Sequence, residues 1–285
     1  MRAMERTMPV PLSQTRQDKS AARRKPAGHV ALVGAGPGAE DLLTLRALRL
    51  LQAAEVVVHD ALVPHAVIAL ANPAATLIAA GKRKGCHSTT QDEINALLVS
   101  LGREGRKVVR LKAGDPLIFG RAGEEMAALR EAGVSHEIVP GITSAIAAAV
   151  EFDLPLTLRG VSSSLVLTTG HDLKGASLPD WARLAISGAT VAVYMGRSNA
   201  ADVATRLIEA GLAADTAVAV AENAGRTEAR LFHGTLSDLP LLASMSELSG
   251  PVMTIIGDAV AGGRFDRSVP LTAALAAASA KEKVA

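Results

Sequence analysis

At 285 residues, with 49% hydrophobic and 20% charged side chains, the chain has room for one large domain or two small ones around a sizeable core. Aromatic residues make up only 2%, which argues against the stacking platforms of single-strand nucleic-acid binders, and no apolar run is long enough to span a bilayer. The formal charge of +2 is split. Residues 1–27 carry seven Lys/Arg against Glu5 and Asp18, while the rest carries 23 Lys/Arg against 26 Asp/Glu, a net of −3 and not a generally basic, nucleic-acid-like surface.

Residues 1–27 have no apolar h-region and read as a disordered basic tail, not a secretory signal. Cys86 is the sole cysteine, so no internal disulfide can form, and a reducing, cytoplasmic compartment fits. From His29 onward short β-branched runs alternate with longer helical stretches. Val30–Val33 predicts a strand ending in the Gly34–Gly38 loop. Leu42–Ala54 predicts a helix with Leu42, Leu45, Leu48 and Leu51 on one face. Val56–Val58 and Ala75–Ala79 predict strands two and three. Thr90 and Glu93 form a capping box before a helix burying Ile94, Leu97, Leu98 and Leu101. Lys107–Leu111 is the next strand, followed by a helix ending at Gly133 and a strand over His136–Val139.

Pro140 and Gly141 then punctuate the chain. A small-residue helix over Thr143–Val150 precedes a second series, with strands near Leu165–Thr168, Thr190–Met195, Ala217–Ala221 and Val252–Ile256. Helices near Asn199–Ala210 and Leu236–Ser244 lie between them, and Ala229–Gly234 suggests an antiparallel hairpin strand. The pattern predicts two α/β domains with mainly parallel sheets, 28–141 and 142–263, and an active-site cleft between them. Residues 264–285 read as a C-terminal tail, frayed or forming a short helix.

In open α/β sheets ligands bind beyond the carboxyl ends of the strands. The notable residues gather there: Gly34–Gly38, Asp60, Lys82 to Lys84, Ala113 to Asp115, Thr169 to His171, Tyr194 to Gly196 and Glu222 to Ala224. Gly34, Gly36 and Ala39 satisfy G-x-G-x-x-A and Asp60 closes the next strand, which is a dinucleotide signature on paper. Pro37 removes a donor that a pyrophosphate would use, and Glu40 and Asp41 put carboxylates where a phosphate would sit. A cationic cofactor is better tolerated. In the loop over 113–121, Asp115 carries the anion while Arg110, Lys112 and Arg121 bracket it with positive charge, suiting ligands of opposite sign. Taken singly, Asp60 reads as a turn residue, Met195 as core, and Lys82 to Lys84 as a solvated face.

In one order along the chain come Val33–Gly38 with Leu42–Thr44, Val57–Val63, Gly81–His87, Gln91–Asn95, Val108–Glu125, Val139–Ser144, Leu154–Thr157 and Thr169–His171. Together they resemble the tetrapyrrole methylase family over about residues 29–258, most nearly its members that methylate uroporphyrinogen III. The resemblance implies a two-domain methyltransferase with S-adenosyl-L-methionine as co-substrate and S-adenosylhomocysteine as by-product. The cofactor would be held by Pro37, Ala113, Gly114, Asp115, Ile118, Thr143, Ser144, Met195 and Ala224. Asp60 and Lys82 match the family's proton acceptor and donor, and Arg121 a residue near the substrate, with Arg83 and Lys84 as further contacts for its carboxylates. The implied reaction is double C-methylation of uroporphyrinogen III, at C-2 and C-7, giving precorrin-2 for cobalamin or sirohaem, by the methyltransferase module alone and as a homodimer.

No metal is implied, and no Cys/His cluster of ligand spacing occurs in the sequence. Eight substrate carboxylates call for several cations, which Lys82, Arg83, Lys84, Arg121 and Arg159 would supply. Three departures from the family pattern stand out: Ala113 in place of a first glycine, His59 in place of a tyrosine, and Leu158 in place of a histidine. The alternatives are a methylase acting on a later precorrin and an NAD(P)-dependent oxidoreductase.

Overall fold

The computed structural model describes residues 28–81, 89–173 and 180–282. The basic tail and the expected site residues Lys82, Arg83 and Lys84, with Cys86, lie outside the described residues. The first half contains β1 (His29–Gly34), α1 (Leu45–Ala53), β2 (Val56–His59), α2 (His65–Ile68), β3 (Thr76–Ala79), α3 (Gln91–Arg103), β4 (Lys107–Lys112), α4 (Ala122–Glu131) and β5 (Ser135–Val139). Its strands form a parallel sheet in the order β3-β2-β4-β1-β5.

Strand side chains alternate between faces, and both faces of this sheet are covered. Ala31, Val33, Val57, Val109 and Leu111 pack against Ala47 and Leu51 of α1. Val30, Leu32, Val56, Val58 and Val108 pack against Ile94, Leu98 and Leu101 of α3 and Leu129 of α4. Helix α3 begins at the expected capping box, with the Glu93 amide donating to Thr90 Oγ1 at 3.2 Å and the Thr90 amide to Glu93 Oε2 at 2.6 Å. The first helix differs from expectation. Glu40–Leu42 form a separate 3-10 turn, and α1 starts after Thr44, whose hydroxyl accepts from the Ala47 amide at 3.1 Å. Its buried stripe is Ala47 and Leu51, while Leu45 stands in solvent.

The second half contains α5 (Ser144–Glu151), β6 (Leu165–Thr169), α6 (Asp180–Ile186), β7 (Thr190–Tyr194), α7 (Ala200–Glu209), β8 (Ala217–Glu222), β9 (Arg230–Thr235), β10 (Val252–Ile256), β11 (Val269–Pro270) and α8 (Leu271–Glu282). Its strand order is β11-β9-β8-β10-β7-β6. The two-sheet α/β architecture is as expected, but only the first sheet is parallel throughout. In the second, β6 runs parallel to β7 and β11 to β9, while β7, β10, β8 and β9 are successively antiparallel. The reason lies in the connections: the turn over 223–229 is too short for the crossover of about a dozen residues that a parallel neighbour needs.

Leu236–Ser244 is 3-10 rather than α-helical, with Pro240 inside it removing a donor from the ladder. Alanines at 145, 147, 148 and 149 let α5 approach the second sheet closely, against Ala192, Ala219, Ala221 and Met253. Of the two readings of 264–285, the structure takes the helix. Leu271 is fully buried and, with Ala274, joins the same core as Leu207 and Leu236, so the first turn of α8 is docked. Among the described residues, no helix is long and apolar enough to cross a membrane.

Candidate functional site

Three loops meet at the carboxyl ends of the first sheet. The loop after β1 and the loop after β4 pair directly: Gly36 donates to the Gly114 carbonyl at 3.2 Å, and Gly114 donates to the Gly36 carbonyl at 2.8 Å. Gly141, after β5, packs against both, and a Cβ there would collide with the Gly114 carbonyl and the Gly34 backbone. Gly114 has φ +67°, a left-handed value that favours glycine, whereas Ala113 is not among the residues of positive φ. The alanine at 113 therefore costs the turn nothing.

Asp115 cross-ties these loops. Its Oδ1 accepts from the Leu117 amide at 2.8 Å and its Oδ2 from the Gly141 amide at 3.0 Å. Each oxygen keeps a lone pair for a cationic or hydroxyl partner. Facing these loops from the second half are Tyr194, the last residue of β7, Met195 after it, Arg226, and the 251–253 segment entering β10. The two sides line a cleft of about 200 Å³.

Of the nine residues expected to hold a cofactor, Pro37, Ala113, Gly114, Asp115, Ile118, Thr143, Ser144 and Met195 line this cleft. Ala224 does not; it is buried in the cluster around α5. Phe119 and Met195, on opposite walls, have φ +51° and +52°, a region that non-glycine residues seldom occupy outside functional sites. The walls also touch. Phe119 and Tyr194 place their ring centroids 4.8 Å apart, and Tyr194 Oη lies 2.6 Å from Thr143 Oγ1. Arg226 reaches across from the second half, donating from Nη2 to the Leu62 carbonyl at 2.8 Å and from Nε to the Pro37 carbonyl at 3.3 Å.

At the end of β2, beside the cleft-lining Leu62, stands Asp60. Its amide donates to the Leu111 carbonyl at 3.1 Å, and its Oδ1 accepts from Arg110 Nη2. Arg110 is not a solvated cation bracketing Asp115, as the sequence suggested, and neither is Lys112. Two residues apart on β4, they project from the same face beneath α4. Each is 2% exposed, and both donate to Glu125 Oε1, at 3.0 Å from Arg110 Nε and 2.9 Å from Lys112 Nζ. Burial, then the Arg110 charge, pulls the Lys112 ammonium below the ordinary lysine range, and Glu125 opposes this.

The cleft does not have dinucleotide geometry. The glycine loop leads into the 3-10 turn at Glu40–Leu42, and the N-terminus of α1 is already capped by Thr44, so no free helix end faces it. Residues 29–240 match the family described as Tetrapyrrole (Corrin/Porphyrin) Methylases. The chain belongs to the tetrapyrrole methylase family. It is 47% identical over 235 residues to the uroporphyrinogen-III C-methyltransferase of Paracoccus denitrificans, covering 82% of each chain. It is 45% identical to a siroheme synthase of Pseudomonas putida, covering 82% of this chain and 50% of that one, so it spans about half that relative's length. Among solved structures, the uroporphyrin-III C-methyltransferase from Thermus thermophilus complexed with S-adenyl homocysteine superposes with a TM-score of 0.70 at 38% identity. That match covers 82% of this chain and all of the other.

Arg121, expected near the substrate, stands apart from the cleft wall. It caps α4 with φ +55°, is more than half exposed, and is held by Glu124 through two 2.8 Å contacts, Nε to Oε1 and Nη2 to Oε2. The pairing raises the Arg121 guanidinium and lowers the Glu124 carboxyl from their ordinary values. Sequence reasoning missed the cleft residues Leu62, Phe119, Arg226, Pro251, Val252 and Met253. A signal existed for Phe119, one of few aromatics in the chain and placed inside a glycine-bounded loop.

Proposed function

We propose that the protein is an S-adenosylmethionine-dependent C-methyltransferase that methylates uroporphyrinogen III at C-2 and C-7 to give precorrin-2. The observation that carries the reading is the cleft: eight residues matched from the family pattern converge on one wall-to-wall site between two sheets. The lining also suits the co-substrate. Pro37, Ile118 and Met253 offer apolar surface to a nucleobase, and Asp115 keeps lone pairs for a cationic or hydroxyl group. Thr143 bonds Tyr194 and does not cap α5 with its side chain, which leaves first-turn amides at the cleft as donors for a carboxylate or carbonyl.

When bound, S-adenosylmethionine supplies an activated methyl electrophile, so the protein's task is alignment of a pyrrole carbon with it. Phe119, Tyr194 and Arg226 fix the two walls relative to each other. Asp60 serves as the base that removes the pyrrole proton as the ring is methylated. Arg110 holds one of its oxygens, and the side chain is 30% exposed at the rim where a macrocycle would lie. Lys82 as proton donor and Arg83 and Lys84 as carboxylate contacts belong to the same proposal. So does a homodimer in the cytoplasm; on α5, Ile146 and Val150 are at least half exposed, an apolar strip that a second copy would cover.

Arg121 meets substrate only by exchanging Glu124 for a substrate carboxylate. Accordingly, Arg121→Ala raises KM for uroporphyrinogen III with little change in kcat, and Glu124→Gln lowers it, each by about two- to five-fold as befits an exposed pair. Steady-state kinetics in both variants checks this, and unchanged KM in both removes Arg121 from the site. The cofactor reading is tested by thermal shift. S-adenosylhomocysteine at a hundred times Kd stabilises the protein by about 2.7 kcal/mol, and NADP leaves it unmoved. Stabilisation by NADP alone contradicts the proposal.

A further inference from the structure

We infer that Arg110, Glu125 and Lys112 are positioning residues for Asp60, fixing where its carboxylate points and the electrostatic field in which it works; this rests on Asp60 being the base. The four side chains form a neutral chain of two cations and two carboxylates running inward from the rim. Arg110 and Lys112 are 2% exposed and Glu125 is fully buried, while Asp60, at 30%, alone reaches solvent. Such a cluster is a poor choice for stability alone, because apolar side chains of similar volume usually serve a core as well or better.

The hydrogen bonding is unbalanced in a telling way. Glu125 Oε1 accepts from Arg110, Lys112 and, at 3.4 Å, Gln91 Nε2, whereas the buried Oε2 has no partner among the described residues. A carboxylate selected to satisfy itself would share its donors between both oxygens. Here one oxygen is the hub that locks the Arg110 fork, whose Nη1 also contacts the Val58 and Leu111 carbonyls at 3.4 Å. The fork's free arm then fixes Asp60 Oδ1, and Oδ2 accepts no hydrogen bond from the described residues. One oxygen is thus anchored from below and the other is left to take a proton.

Among the described residues, the charged and titratable groups facing Asp60 are Arg110 and Lys112 from β4 and Glu125 from α4, with Glu124 and Arg121 farther out on the α4 rim. On its own strand, His59 places Nδ1 3.2 Å from the Asp60 carbonyl. Arg110 and Glu125 act on the Asp60 charge with opposite sign: the guanidinium attracts it and the Glu125 carboxylate repels it.

The test measures kcat against pH for the full-length protein with uroporphyrinogen III and S-adenosylmethionine. Arg110→Met moves the acid limb up by about one unit or more. Arg110→Lys, which keeps charge and loses the fork, leaves the limb near its original position with reduced kcat. Glu125→Gln, nearly isosteric, moves the limb down. S-adenosylhomocysteine affinity and the melting temperature are read in parallel, and the two conservative variants carry the test if Arg110→Met does not fold. Limbs that coincide with the parent in folded variants, or that move the same way in Arg110→Met and Glu125→Gln, overturn the positioning role. Asp60→Asn is run in the same series. Full activity in that variant would instead overturn the base assignment, whereas an inactive Asp60→Asn beside unmoved limbs would remove only the positioning role.

Discussion

Replacing Asp60 by Asn lowers kcat by about 10²- to 10⁴-fold, the usual share of a general base, and leaves S-adenosylhomocysteine affinity within about two-fold. The separation follows from the geometry. Asp60 does not line the cleft, and the lining residue next to it along the chain is Leu62. The amide side chain keeps its size and its backbone anchor to Leu111, so the strand end does not move. What disappears is the proton-accepting oxygen and the charge opposite Arg110. Single-turnover transfer of labelled methyl reads the first effect, and calorimetric titration with S-adenosylhomocysteine reads the second. Unchanged turnover would make Asp60 a structural turn residue.

Replacing Glu222 by Leu destabilises the protein by on the order of 3–5 kcal/mol, a fall in Tm of roughly 10 °C. Glu222, at the end of β8, is 1% exposed. Its Oε1 accepts from the Ser249 and Gly250 amides, both at 2.7 Å, and its Oε2 from Arg230 Nε. Leucine leaves all three donors unmatched. The released segment continues directly into Pro251, Val252 and Met253 of the cleft, so cofactor affinity falls as well.

The same residue gives a pH signature. Burial pushes the Glu222 carboxyl up, but Arg230 and the Gly250 and Ser249 amides outweigh it and hold the group below its ordinary value near 4.5. A carboxyl depressed on folding contributes stability that is fully present above the unfolded value and lost as pH falls through the folded one. The stability gap between the parent and Glu222→Gln is therefore constant above about pH 5 and narrows at lower pH. Denaturant titrations across that range measure it, and a gap that widens on acidification contradicts the assignment.

The first sheet was legible because β1 and β2 hold continuous apolar runs, Val30–Val33 and Val56–Val58, the pattern of strands covered on both faces. The α3 capping box was legible because its two residues are three apart and satisfy each other. Features that depend on distant partners were not. Arg110 and Lys112 read as surface cations because their counter-ion, Glu125, sits on the next helix. Strand periodicity did hold a clue, since Val108, Arg110 and Lys112 share a face and Val108 packs in the core with Leu98 and Leu129. Asp115 read as the anion of its loop without its cross-tie, because one of the two amides it accepts from, Gly141, lies 26 residues on. Arg226 could not be read as bridging the cleft, because its acceptor at Pro37 is 189 residues away. The β8–β9 hairpin was legible from the short 223–229 turn, whereas the antiparallel pairing of β10 with β7 and β8 was hidden by segments that mimic βα alternation.

Methyl-labelled S-adenosylmethionine and uroporphyrinogen III, supplied to the protein under anaerobic conditions, give two labelled methyl groups per macrocycle, recovered as a dimethylated product of the mass of precorrin-2. Absence of label on the macrocycle, with transfer only to an already methylated precorrin, would show that uroporphyrinogen III is not the acceptor.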